Sequence, residues 1–206
     1  MKNKRFVIKA IIFGLLCICV GVLLPLFIPG LTEKYRFWQK TYRLRRAIAA
    51  DPSALEHYNS LLFEYYTHGP DYVDEIIAIE EKIVELRPDE PQACLSLAQA
   101  LLRLETESKA EYEGRNKKIL NLVEKAISLS SEKDIFTYSR AGTILSQIGE
   151  VDEARKYLEH ALSHFKGDTA MIEVISRPYK MQIEETLKNL GEKERIVDSL
   201  KQLMLP

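Results

Sequence analysis

The stretch "GEVDEARKYLEHALSHF", residues 149 to 165, sets Glu150, Asp152, Glu153 and Glu159 beside two histidines four apart, His160 and His164. Histidines at that helical spacing can place both imidazoles on one metal ion, and adjacent acids invite acid–base chemistry. Each requirement can be checked against the rest of the chain. A metal needs a third ligand, and the other histidines, His57 and His68, stand far away in the sequence, with no HExxH present. Adjacent residues on a helix diverge by about 100°, so Asp152 and Glu153 cannot readily share a substrate. The same "VDE" recurs at Val73-Asp74-Glu75. At the start of a helix such acids meet free backbone N–H groups and the positive end of the helix dipole. The acids therefore read as helix openers and His160 as a solvent-facing residue. His164 is expected at the edge of the packing with the next helix pair.

Other routes to chemistry are equally bare. The chain has no G-x-S-x-G, no Walker-type glycine loop and no dinucleotide fingerprint, and its nine glycines fall mainly in turns and in the apolar N-terminal run. Three cysteines, Cys17, Cys19 and Cys94, form no CxxC pair and no disulfide framework. The expectation is a protein that is not an enzyme, with no catalytic residues, no metal, no cofactor and no small-molecule substrate. The competing reading is a metal-dependent or otherwise catalytic domain built on His160 and His164. A third is a homo-oligomerising structural subunit.

The elements that position these residues begin with charge. Residues 1 to 46 hold ten Lys or Arg and only Glu33, while the remainder is acidic, for an overall net of −1. A basic arm beside an apolar run favours a membrane surface, and an acidic remainder repels phosphates, so no nucleic-acid partner is expected. "AIIFGLLCICVGVLLPLFI", Ala10 to Ile28, contains no charge. As a helix it spans about 28 Å, close to the hydrocarbon thickness of a bilayer. A cleaved signal peptide would need small residues before the cut, which "LFIPGLTEK" does not offer, and neither Cys17 nor Cys19 follows a small residue as a lipoprotein site would require. Residues 1-31 thus read as an uncleaved transmembrane anchor, with membrane contact through residues 6-29. Residues 32-50 read as a basic and aromatic juxtamembrane segment, in which Tyr35, Phe37, Trp38 and Tyr42 alternate with Lys34, Arg36, Lys40 and Arg43. Lys2, Lys4, Arg5 and Lys9 favour an N-terminus kept inside, whereas the six bases from Lys34 to Arg46 favour the opposite. Carrying a short, basic tail across a membrane is disfavoured, which points to a single-pass protein with an extracytoplasmic C-terminal domain, a cytoplasmic domain being the alternative.

Residues 51-206 show helical periodicity with no alternating strand pattern, opening at "ADPSALEHY" with Asp51 or Ser53 as N-cap and Pro52 just inside. In "TYSRAGTILSQIGEVDEARKYLEHAL", Tyr138, Ala141, Gly142 and Leu145 form one apolar stripe. After a turn at Gly149, Ala154, Leu158 and Ala161 form another. Small residues where two helices cross are what a tight antiparallel pair requires. This pattern resembles the tetratricopeptide repeat (TPR). A similar register runs through Tyr58, Leu61, Leu62 and Tyr65, then Gly69, Ile76, Ile83 and Pro88, with two extra residues at the turn and Glu80 where the family places an aromatic or leucine. It returns in Cys94, Leu97, Ala98 and Leu101 with Ile119, Val123 and Ala126, after a charged insertion, "ETESKAEYEGRNKK", that reads as a longer turn or a helix extension. It closes with Leu187, Gly191, Ile196, Leu200 and Leu203.

The resemblance implies an all-α fold, a transmembrane helix followed by a right-handed α-solenoid of about four helical hairpins whose stacking buries one continuous core. It also implies a groove lined by the first helices. Side chains beside the buried stripes are Asn59, Phe63 and Tyr66, then Leu95, Gln99 and Leu102 with Arg103 nearby, then Phe136, Ser139 and Thr143. That mix suits an extended or helical peptide with apolar anchors. A Lys/Asn clamp on a terminal carboxylate, used by some members of the family, lacks cations at Leu95, Gln99, Ser139 and Thr143. The plainer alternative is that Phe63, Leu95 and Phe136 are simply buried. The function implied is a membrane-anchored protein–protein interaction module, an adaptor, assembly factor or scaffold with a protein or peptide partner in a membrane-associated complex.

Overall fold

The computed structural model describes residues 29–164, 180–192 and 194–195. Of the expected anchor, residues 1-31, all but 29–31 lie outside them, as do Ile196, Leu200 and Leu203 of the last expected repeat. Among the described residues every regular element is helical, and no helix is long and apolar enough to cross a membrane. The helices are α1 (Pro29–Ala50), α2 (Leu55–His68), a 3-10 turn (Pro70–Tyr72), α3 (Val73–Leu86), α4 (Pro91–Leu101), α5 (Lys109–Leu129), α6 (Ile135–Ile148) and α7 (Val151–His164), followed by a helix over 180–192. The chain divides into two compact units, residues 1–67 and 68–206.

In the first unit, segment 32–50 belongs to a continuous 22-residue helix. Its residues dock on α2: Phe37 meets Tyr65 edge to face at 5.9 Å, Lys40 pairs with Glu64 at 2.9 Å, and the Arg45 guanidinium donates to the Tyr65 hydroxyl. Tyr58, Leu61, Leu62 and Tyr65 are all buried, as their 3–4 spacing dictates for one helix face. The helix start differs from expectation. Asp51 accepts from the amide and hydroxyl of Ser53, making a tight turn before α2 begins at Leu55. Those bonds hold the Asp51 carboxyl below its ordinary range.

In the second unit, α4 with α5 and α6 with α7 form hairpins, and α3 packs on α4. The core holds Cys94, Leu97, Ala98, Leu101, Ile119, Val123, Ala126, Ala141, Leu145, Ala154, Leu158 and Ala161, each at the position its stripe assigns. At Gly142 the backbone of α6 comes close to α7. A Cβ there would sit 2.6 Å from the Leu158 Cγ and 3.0 Å from the Ala154 carbonyl oxygen, so only glycine lets α6 and α7 cross at this separation. Gly149 ends α6 in the left-handed conformation, φ 90°, and its amide bonds back to the Leu145 carbonyl. The acids Asp74 and Glu75 open α3, and Asp152 and Glu153 open α7.

Three details depart from the sequence pattern or decide between its alternatives. The two extra residues after Gly69 fall in the 3-10 turn, and Glu80 is buried on the inner face of α3 where an apolar residue is expected. The insertion before Ile119 is largely a helix extension. Ser108 caps α5 by accepting from the Glu111 amide at 3.2 Å, and Glu111 reaches back to the Glu107 amide, an arrangement close to a capping box. Over 180–192, Ile183 and Leu190 are the buried pair and Leu187 and Gly191 are only half buried, so the inner face is turned toward 183 and 190.

Cys94 is fully buried, and that burial pushes its thiol pKa up. The expected result is that Cys94, in a Cys17→Ser/Cys19→Ser chain, resists alkylation at mildly alkaline pH until denaturant unfolds the second unit. The sign for stability follows: the thiol's contribution is fully present below the unfolded value of about 8.5 and is lost as pH rises through the higher folded value. Rapid labelling of the native chain would contradict this.

Candidate functional site

The first helices of the second unit's hairpins, α4 and α6, carry a hydrogen-bonded ladder between them. Asp134 caps α6, accepting from the Thr137 amide at 3.1 Å and from its hydroxyl at 2.5 Å. Gln92, in the first turn of α4, donates to the Thr137 hydroxyl at 2.9 Å. The Arg140 guanidinium, one turn further along α6, donates to Gln92 Oε1 at 2.6 Å, Gln99 Oε1 at 3.1 Å and Ser96 Oγ at 3.3 Å. Thr137 is fully buried. The ladder fixes the two helices in register because breaking it would leave polar groups without partners.

Beside this ladder lies a pocket of about 510 Å³ whose lining includes Gln99, Phe136, Ser139, Arg140, Thr143 and Gln147. Phe136 is 49% exposed, a large ring held at the edge of an otherwise amide- and hydroxyl-rich wall. Four residues expected in a groove thus meet here: Gln99, Phe136, Ser139 and Thr143. Ser139 is itself mostly buried and contributes only at the floor. Leu95 departs from expectation. It is completely buried, because position 95 falls on the side of α4 that turns into the core. Leu102 is half buried at the end of α4, and Arg103 is exposed; neither lines this pocket.

Asn59 and Phe63 lie in the first unit. They line a shallower pocket of about 580 Å³ with Lys40, Arg43, Leu44, Ser60 and Glu64, in which Phe63 is 65% exposed. Tyr66 lies outside it, partly exposed. Of the three side chains whose burial was the plainer alternative, Leu95 is buried, while Phe63 and Phe136 are displayed. Sequence reasoning missed Gln92, Arg140 and Gln147. Their signal was present in the 3–4 spacing that links Phe136 to Arg140, Thr143 and Gln147, and Gln92 to Ser96 and Gln99.

His160 is half buried rather than solvent-facing: its ring lies 4.1 Å from that of Tyr138, and its Nε2–H donates to the Glu132 carbonyl at 2.7 Å. His164 Nδ1 is engaged with the His160 carbonyl at 3.0 Å. The Glu132 carbonyl demands a proton on His160 Nε2, so that nitrogen offers no lone pair there. Among the described residues no three His, Cys, Asp or Glu side chains gather as a metal would require.

No family model matches the sequence, and no curated protein matches it. Solved structures do resemble the fold. TTC0263, a thermophilic TPR protein of Thermus thermophilus, superposes with a TM-score of 0.51 at 18% identity, over 85% of this chain and 95% of its own. MamA gives 0.48 at 19% identity, over 81% of this chain and 93% of its own. YrrB, a TPR protein with an unusual peptide-binding site, gives 0.47 at 15% identity, over 84% and 88%. At such identities the likeness is one of fold, and the first of these carries it. Together with the small-residue crossing at Gly142 and the glycine turn at Gly149, it makes the fold of this chain TPR-like.

Proposed function

We propose that this chain is a membrane-anchored protein–protein interaction module that serves as an adaptor, assembly factor or scaffold in a membrane-associated complex. The observation that carries the interaction role is the pocket between α4 and α6, where an exposed aromatic edge and a fixed cation share one concave wall. Phe136 offers the apolar anchor, and Arg140, held by Gln92, Ser96 and Gln99, presents a guanidinium to a carboxylate. Gln99 and Gln147 supply amides for an extended backbone. The occupant that fits is an extended peptide segment with an apolar side chain near an acidic one.

Residues 10–28 support the anchor by length and lack of charge, and the basic N-terminal tail supports an extracytoplasmic domain. Confinement to a bilayer surface would raise the local concentration of partners there, so modest groove affinity suffices for assembly.

The test is selection of random peptides on the full chain in detergent. Enriched peptides should share an apolar residue near an acidic one. Their affinity should fall by on the order of tenfold or more in Arg140→Gln, the scale of a lost charge-assisted hydrogen bond, and fall again in Phe136→Ala. Peptides that bind both variants as tightly as the parent chain would remove the groove from the account.

A further inference from the structure

Helix α1 displays three large aromatic side chains on one side. Tyr35, Trp38 and Tyr42 are 58%, 61% and 51% exposed, and Trp38 and Tyr42 stack at 5.7 Å. With 3.6 residues per turn the three fall within an arc of about 60°. The side that meets α2 is different: it carries Phe37 and Lys40, Thr41 is buried there, and Leu44 is half buried. The aromatic stripe is therefore not what holds α1 in the first unit.

Charge surrounds the stripe asymmetrically. The helix carries six bases, Lys34, Arg36, Lys40, Arg43, Arg45 and Arg46, against one acid, Glu33. By helical phase, Lys34 flanks the stripe about 40° from Trp38, and Arg46 flanks its other edge about 20° beyond Tyr35; Arg45 is engaged with the Tyr65 hydroxyl of α2. Glu33 falls roughly 170° from the centre of the stripe. Amphipathic rings bordered by bases, with the acid on the opposite side, are suited to the headgroup region of an anionic bilayer, where rings sit at the apolar boundary and bases meet lipid phosphates. The charge-free run 10–28 ends immediately before Pro29, so α1 follows the apolar segment with no intervening linker.

We infer that α1 is an interfacial helix whose Tyr35–Trp38–Tyr42 face lies on the surface of an anionic lipid bilayer. The inference rests on the membrane reading of the chain and adds to it a second contact, along a helix lying on the bilayer. One consequence is that α2, fixed to the opposite side of α1 through Tyr65 and Glu64, is held with its first unit against the bilayer.

Trp38 is the only tryptophan, so its fluorescence reports this face alone. The full chain is reconstituted into vesicles of phosphatidylcholine with a minority of phosphatidylglycerol, with and without lipids brominated near the carbonyl end of the acyl chains. The expected result is blue-shifted Trp38 emission that bromine quenches and aqueous iodide does not. A Lys34→Gln/Arg46→Gln chain should lose much of the bromine quenching while keeping its helical circular dichroism. Emission that stays open to iodide overturns the inference. So does blue-shifted emission that bromine leaves unquenched, because the stripe is then covered by protein, either a second copy or a partner. Alkaline carbonate extraction of the same vesicles reads the anchor separately: a chain that resists extraction but leaves Trp38 in water retains the anchor and loses the interfacial helix.

Discussion

Shortening Leu158 to alanine is expected to destabilise the second unit by about 2–5 kcal/mol, the range for emptying a fully buried leucine site. Leu158 has no exposed surface and closes the crossing of α6 and α7 directly over Gly142. The converse change, Gly142→Ala, drives a methyl to 2.6 Å from the Leu158 Cγ and 3.0 Å from a backbone oxygen. Overpacking of that kind costs about 1–3 kcal/mol, partly offset by the roughly 1 kcal/mol that alanine gains over glycine inside a helix. Combined, the two changes should cost less than their sum, since the new methyl enters the space that Leu158 vacates, with coupling of about 0.5–3 kcal/mol. Urea unfolding of the full chain followed by far-ultraviolet circular dichroism measures all three. Strict additivity would mean that the crossing is looser than the geometry states.

The second large effect belongs to the first unit. Tyr65 is buried to 1% exposure, its ring meets Phe37, and its hydroxyl accepts from Arg45 Nε at 3.1 Å and Nη2 at 2.5 Å. Tyr65→Ala should cost about 3–5 kcal/mol, the range for truncating a buried aromatic, and should release α1 from α2. Tyr65→Phe keeps the ring and should cost only about 0.5–1.5 kcal/mol, because the exposed Arg45 can return to water. Amide hydrogen exchange over residues 29–50 distinguishes the two. The alanine variant should lose protection along α1 and the phenylalanine variant should retain it. Retained protection in both would mean that other contacts hold α1.

The hairpins were legible because their signal is steric and local. Gly142, Ala154 and Ala161 are small where helices must touch, and a 3–4 stripe has one phase only once the small residues fix the crossing. The phase of the last helix was harder to read. Ile183, Leu187 and Leu190 all lie on one side, and the choice between 183/190 and 187/191 depends on what that side packs against. Leu95 failed for a related reason. An apolar residue beside a stripe reads equally as groove wall or as core, and only the helices packed around α4 decide. Arg140 escaped notice because a lone arginine on a helix usually extends into solvent; its role exists only through Gln92, Ser96 and Gln99, between 41 and 48 residues away. Segment 32–50 read as a string of anchoring side chains, yet Phe37, Lys40, Thr41 and Arg45 also give it a packing face that becomes visible only beside α2.

The hydrogen bonds that hold Arg140 carry a kinetic consequence. A guanidinium on a free side chain surrenders its rotamer freedom when a ligand arrives, at about 0.5–1.5 kcal/mol for a side chain of this kind. Here that entropy is already lost on folding, so the wall between α4 and α6 is preorganised before any peptide reaches it. Loosening the support with Gln92→Ala would keep the arginine itself and is expected to shorten the lifetime of the proposed peptide complex, through a faster dissociation rate with little change in association.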